Sequence, residues 1–198
     1  MKSLSLVVLI EASLMAAFAI ILDLLPSIDL SPSISISFSM VPIFILAFRR
    51  GFKASLLAGF VWGVLQVALG NAWIVTPVQM IIEYFIAFTF IGFAGLFFRR
   101  IQQSLRAETK RKLYIWVVAA TVVGSAARYF WHFIAGFIFF KEYAPDGMSP
   151  VLFSLFANGV TMLGSALLCS IVLIFLLATA PRLIRQGVSV DSLERKAS

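Results

Sequence analysis

The sequence predicts an all-α integral membrane protein: one bundle of six transmembrane helices over residues 1–198, with both ends in the cytoplasm. Three observations predict it. Hydrophobic residues make up 61% of the chain and charged residues 13%, which would leave a water-soluble monomer with too much apolar surface. The apolar residues gather in long runs, most of them near the ~20 residues that a ~30 Å hydrocarbon core requires. Of the 16 Lys and Arg residues, all but Arg128 and Lys141 fall in stretches that alternate with those runs. The stretches are Lys2, then Arg49, Arg50 and Lys53, then Arg99 to Lys112, then Arg182 to Lys196. Basic residues beside membrane spans are retained on the cytoplasmic side, so these stretches share one face of the bilayer.

Leu4–Leu25 opens the chain. Its apolar core is long for a signal peptide, carries Glu11 and is followed by no small-residue cleavage pattern, so it is expected to stay as the first span. Ile34–Phe48 is a short second helix, roughly 22 Å by helical rise, that stops below the outer surface. Its opening, Ser33-Ile34-Ser35-Ile36-Ser37-Phe38-Ser39, alternates with the period of a strand. A lone strand in lipid would leave its backbone unpaired, and helix is therefore preferred there. Phe52–Leu69 just suffices for a third span, and Val78–Phe98, Leu113–Phe140 and Val151–Ala178 complete the set. The outer connections, Pro26–Ser33, Gly70–Pro77 and Lys141–Pro150, are rich in Pro, Gly, Ser and Asp. No internal repeat, inverted halves or soluble domain is evident, which gives a free-standing secondary transporter little support. The tail from Gln186 is polar and expected to fray.

Several function classes are excluded or weakened. The net charge of +7 sits at span ends without an aromatic-interleaved basic face, which suits topology and contact with the lipid bilayer rather than nucleic acid. Cys169 is alone inside an apolar run, so it reads as a small packing residue and neither a disulfide nor a thiolate metal cluster is expected. There is no Gly-Lys-Ser/Thr stretch for a Walker A loop and no His-Glu-x-x-His, so no cofactor or metal site is expected. An intramembrane enzyme using Glu83 and His132 would lack a patterned nucleophile and a second carboxylate.

Function is expected where polar groups enter the spans, because burying them without partners is expensive. By helical rise, Glu83 lies about 9 Å inside the outer end of its span, Asn158 about 10 Å and His132 about 12 Å. Trp62 and Gln66 fall in the outer half of the third span. Convergent polar groups at one level are how a bundle builds a small-molecule pocket. Arg128, His132, Gly136 and Phe140 recur every four residues and form one stripe, with Gly136 leaving bare backbone for a flat ligand. Two readings of Arg128 and Glu83 stand together: they neutralise one another, or they serve a ligand. Arg128 itself could hold a phosphate, brace Glu83 or face a water-filled gap. A carboxylate ringed by Tyr84, Trp62, Trp73, Trp131, Phe139 and Phe140 suits a flat aromatic cation, and Asn158 suits an aminopyrimidine edge.

The segment Val41-Pro42-Ile43-Phe44-Ile45-Leu46-Ala47-Phe48-Arg49-Arg50-Gly51-Phe52-Lys53-Ala54, with Gly59, Trp62, Gly63 and Gly70-Asn71, closely resembles the thiamine-specific substrate-binding subunits of energy-coupling factor (ECF) transporters, the ThiT/YuaJ family. So do Pro77-Val78-Gln79 with Glu83-Tyr84, the run Arg128 to Gly136, and Ser154-Leu155 with Asn158. The likeness runs from about Glu11 to Arg182. It implies a vitamin-capturing S component with an occluded pocket facing outward, in which Glu83 meets the cationic part of thiamine. His132, Tyr84 and Phe140 would line the pocket, Gly136 would lie against a ring, and Asn158 would bond the aminopyrimidine. Some relatives carry tryptophans where this chain has Ser33, Phe140 and Pro145, and a tyrosine at Phe153, which leaves open the same architecture with another heteroaromatic ligand. On the first helix, Ser13 and Ala17 beside Ala12 and Ala16 form small-xxx-small pairs that permit close helix approach, either within the subunit or with a partner. The resemblance implies that Ser13 and Ala17 dock a transmembrane coupling protein. It also implies two ABC ATPase subunits that consume ATP, and a place in the cell membrane.

Overall fold

The computed structural model describes residues 4–186; Lys2 and the tail beyond Gln186, with Arg195 and Lys196, lie outside the described residues. The apolar runs fold as helices α1 (Leu6–Asp23), α2 (Val41–Arg50), α3 (Phe52–Ala68), α4 (Pro77–Arg106), α5 (Lys110–Phe139) and α6 (Pro150–Thr179). Their outward faces are apolar: Leu6, Ile10, Leu14, Phe18 and Ile21 on α1, and Phe156, Leu163, Leu167, Ile171 and Phe175 on α6, are all exposed. A surface of that kind is stable only against hydrocarbon. The all-α membrane class is thus observed.

One expected element differs. Between α1 and α2 the chain forms an antiparallel hairpin, β1 (Ile28–Ser31) with β2 (Ile34–Ile36), pairing Ile28 with Ile36 and Asp29 with Ser35. Residues 34–36 are therefore strand rather than the start of the second helix, which begins at Val41. The period-two pattern was the valid signal. Its missing partner, Ile28–Ser31, lies just across a Pro32-Ser33 turn, so the unpaired-backbone objection does not apply. Hydrogen bonds from Ser27 and then Ser35 hold the Asp29 carboxyl below its usual range and help fix the register. Ile36 seats its side chain in the notch left by Gly164 on α6, while Ser37 N–H donates to Ser165 Oγ at 3.3 Å. The Cys169 thiol, fully buried, faces the Ser37 carbonyl oxygen at 3.8 Å, in keeping with a packing role.

With only ten residues, α2 is too short to cross a bilayer, and Val41 to Phe48 are buried on every side. A helix apolar all round belongs in a core. Gly51 links it to α3 at φ +81, a left-handed conformation that residues with a Cβ rarely adopt. At the basic end of the bundle, Glu11 on α1 accepts from Arg50 Nε and one terminal nitrogen at 2.6 and 2.7 Å, and meets Arg49 at 3.2 Å. Toward the other end, Gln66 on α3 donates to Asp23 on α1. The first helix is thereby fastened to its neighbours at both ends.

Helix α4 is not uniform. After a first turn capped by Thr76 it widens to π geometry over Ile81–Ile86, returns to α, tightens to 3₁₀ over Ile91–Phe97, and resumes α from Phe98. Glycines on the facing helix accommodate this: a Cβ at Gly63 would fall on the Tyr84 carbonyl oxygen, and one at Gly59 on that of Phe88. Ser55 Oγ also sits 3.0 Å from the Gly92 carbonyl, within reach to donate to a backbone acceptor the altered register offers. Small residues therefore let α3 and α4 approach to backbone contact.

Candidate functional site

The hairpin turn and the ends of α4, α5 and α6 away from the basic stretches border a cavity of about 290 Å³. Glu83, His132, Gly136, Phe140 and Asn158 all line it. The π turn contains both Glu83 and Tyr84, and the two neighbours have different surroundings. Glu83 faces the hollow. Tyr84 is absent from the cavity lining; its hydroxyl accepts the Trp73 N–H at 2.8 Å and so fixes the α3–α4 connection.

Gln79, one helical turn before Glu83 and fully buried, organises this corner. Its Oε1 accepts from Val75 N–H at 3.1 Å, while its amide nitrogen donates to the Trp73 carbonyl at 3.0 Å and to Glu83 Oε2. One side chain thus ties the connection to the carboxylate. The other carboxylate oxygen lies 3.3 Å from His132 Nδ1, and Arg128 Nε donates to His132 Nε2 at 3.2 Å. Because Nε2 accepts, the imidazole proton sits on Nδ1 and points at Glu83. Among the described residues Arg128 makes no direct carboxylate pair; a neutral imidazole stands between the two charges. The Arg128 guanidinium rests on the rings of Phe88, Trp62 and Tyr129 at 4.1, 5.0 and 5.5 Å. That placement supports the cation with ring faces and leaves Glu83 oxygens with unused acceptor capacity.

An aromatic rim surrounds the opening. Trp73 meets Phe140 and Tyr143 edge to face, with ring centroids 6.3 and 6.0 Å apart. Opposite, α5 and α6 touch where Gly136 has no side chain: a Cβ there would strike Ser154 Oγ. That hydroxyl donates to the Phe133 carbonyl at 2.8 Å, and Asn158 Nδ2 donates to the Ser154 carbonyl at 3.0 Å. The Asn158 amide is thereby oriented, with its carbonyl oxygen not engaged by those bonds. A second hollow of about 270 Å³ adjoins the first, sharing Pro32, Ser33, His132 and Asn158 and adding Asp23, Arg128 and the serines of the β2–α2 segment. The stripe expected on α5 therefore runs along both hollows, Arg128 in the second and the other three in the first.

Of the rings expected around the carboxylate, Trp73 and Phe140 reach the cavity. Trp62 is fully buried against Phe88, and Trp131 packs on Phe90 and Phe130. Sequence reasoning missed Tyr143 and Asp23 altogether, and the bracing role of Gln79. The spacing of Gln79 and Glu83, four apart on one helix, was an available signal. Among the described residues no group of His, Cys, Asp or Glu is arranged to hold a metal.

These features define a class: a polytopic helical membrane protein that holds a small polar–aromatic cavity near one membrane face. Comparison with known proteins is specific. The family described as "Thiamine transporter protein (Thia_YuaJ)" matches residues 9–185. The thiamine transporter ThiT of Bacillus subtilis (strain 168) is 41% identical over 93% of this chain and 97% of its own length. ThiT of Lacticaseibacillus paracasei is 40% identical over 90% of each. A solved structure of ThiT from Listeria monocytogenes superposes with a TM-score of 0.88 at 40% identity, covering 92% of this chain and 98% of that one. The chain belongs to the thiamine transporter protein family, whose members are transport proteins and not enzymes.

Proposed function

We propose that the chain captures thiamine in the cavity beneath the β1–β2 hairpin and delivers it to an ECF coupling module. The observation that carries this reading is the charge pattern. The joined hollows hold two carboxylates, Glu83 and Asp23, against one guanidinium, Arg128, with a neutral imidazole between. That set lacks one positive charge, which a thiazolium supplies. Glu83 would face the cation, the rim of Trp73, Phe140 and Tyr143 would cover ring faces, and the free Asn158 carbonyl oxygen would accept from the aminopyrimidine amine. Gly136 would let Ser154 and Asn158 of α6 close on α5 at the wall the ligand lies against. Tyr84 would act one step removed, by holding Trp73 at the rim.

Energy is supplied elsewhere in this reading: a transmembrane coupling protein and two ABC ATPase subunits complete the importer. The protein sits in the cell membrane with both termini in the cytoplasm, as the basic stretches favour. Ser13 is exposed and Ala17 half-buried, whereas Ala12 and Ala16 are buried within the bundle. The two small-residue pairs thus separate, one serving internal packing and the other open to a partner. Native mass spectrometry of the protein purified from cells grown in rich medium tests the ligand: one bound thiamine is expected. A different heteroaromatic mass bound in its place would reassign the substrate within the same architecture.

A further inference from the structure

At the basic end of the bundle, away from the cavity lined by Glu83 and His132, the C-terminal part of α4 and the start of α5 border a cleft of about 410 Å³. Arg100, Gln103, Thr109, Lys112, Ile115 and Trp116 line it. The Arg100 guanidinium lies over the Trp116 ring, 5.1 Å from its centroid, and Trp116 also packs on Phe97. Among the described residues neither Arg100 nor Lys112 pairs with a carboxylate. The nearby Glu108 lines two other clefts, one with Arg106 and Arg185 and one with Lys110 and Arg185. Two uncompensated cations thus border one hollow, and an indole holds one of them, Arg100, in place.

Its depth is equally informative. Trp116 is about 9 Å along α5 from Lys110, the level at which an indole sits between headgroups and acyl chains. Ile115 in the lining and Leu96, four residues before Arg100 on α4, are exposed at 53% and 58%, apolar surface on the side of the cleft toward the middle of the bundle. A soluble anion would use the cations and ignore that surface; a ligand carrying an anionic head on apolar chains matches both.

We propose that this cleft seats the phosphodiester headgroup of an anionic phospholipid, between Arg100 and Lys112, with acyl chains running over Ile115 and Leu96. The Thr109 hydroxyl and the Gln103 amide are donors available to the remaining headgroup oxygens. Each cation near a membrane surface raises association with anionic lipid by about fivefold, so the pair confers roughly 25-fold preference over a zwitterionic lipid.

The test uses the full chain in detergent, titrated with brominated phosphatidylglycerol or brominated phosphatidylcholine while Trp fluorescence is read. Phosphatidylglycerol is expected to quench at concentrations roughly 25-fold lower, and Trp116→Phe to remove that quenching component. The double variant R100Q/K112Q should lose the preference to within about twofold while binding the outer-cavity ligand like the parent, which shows that it is folded. Inorganic phosphate at millimolar concentration should leave the quenching unchanged. Equal quenching by both lipids, an unaltered preference in the double variant, or quenching that survives Trp116→Phe would overturn the proposal. Displacement by inorganic phosphate would reassign the cleft to a soluble anion and overturn it as a lipid site.

Discussion

Replacing Glu83 by Gln keeps the size of the side chain and removes its charge, and the neighbouring bonds determine the cost. His132 Nδ1 can still donate to the amide oxygen. Gln79 cannot adapt, because its amide orientation is fixed by Val75 N–H on one side and the Trp73 carbonyl on the other. Its amine would then face the amine of the new Gln, and one bond is lost, at about 1 kcal/mol. That bond is lost from the free and the bound protein alike, so an uncharged ligand should feel little of it, a change in Kd of no more than about fivefold. A cation held about 4 Å from the carboxylate loses more, on the order of 3–4 kcal/mol at an effective dielectric near 20, or two to three decades in Kd. Isothermal titration with thiamine and with an isosteric analogue lacking the thiazolium charge separates the two terms. Equal losses for both ligands would refute the carboxylate–cation contact and leave Glu83 a structural residue.

The packing sets further outcomes. Gly63→Ala would press a methyl onto the Tyr84 carbonyl, so thermal unfolding in detergent should show a loss of about 1–3 kcal/mol or more; an unchanged Tm would mean that α3 and α4 do not meet at backbone contact. Gly136→Ala would press a methyl onto Ser154 Oγ and disturb its bond to the Phe133 carbonyl, so a loss of about 1–3 kcal/mol is expected in the same unfolding assay, and an unchanged Tm would mean that α5 and α6 do not meet closely there. Glu11→Ala leaves Arg49 and Arg50 without their acid; because the three side chains are 19–29% exposed, the expected loss is roughly 1–2 kcal/mol in the same unfolding assay. A bulky Ser13→Trp/Ala17→Trp pair should leave binding unchanged and abolish uptake when the coupling module is present; unimpaired uptake in whole cells would move the partner surface elsewhere.

Much of the architecture was legible because a bilayer imposes coarse rules: long apolar runs, and basic residues gathered at one end. The bounds of α3, α5 and α6 fall within a few residues of expectation for that reason. The hairpin was legible too, in the alternation of Ser33 to Ser39, but the partner strand Ile28–Ser31 lies in a segment read as a loop and carries too few residues for a periodic signal. Within the site, depth along each helix set Glu83, His132 and Asn158 at one level and the α5 stripe added Gly136 and Phe140; these five residues line one hollow, whereas Trp62 and Gln66, set at the same level, do not. What depth could not supply was direction. The π turn changes the angular register of α4 just where Glu83 and Tyr84 lie, so a 3.6-residue wheel misplaces them, and nothing in Ile81–Ile86 announces the widening. The roles of Gln79, Trp73 and Tyr143 depend on how two connecting segments fold over the helix ends, which short-range patterns do not encode. Arg128 shows the same limit. Its ring-face supports come from α3, α4 and α5 together, and the imidazole between it and Glu83 is a tertiary fact.

The central claim is that a cavity short of one positive charge, its opening ringed by aromatic side chains, binds thiamine without help. Titrating the purified chain with thiamine, in the absence of ATP and of any partner, while following Trp fluorescence tests it most directly. A saturable, one-to-one quench that Trp73→Phe largely removes is the predicted result, since Trp73 is the indole on the cavity wall. No saturable change up to millimolar thiamine, by fluorescence or by heat, would contradict the account.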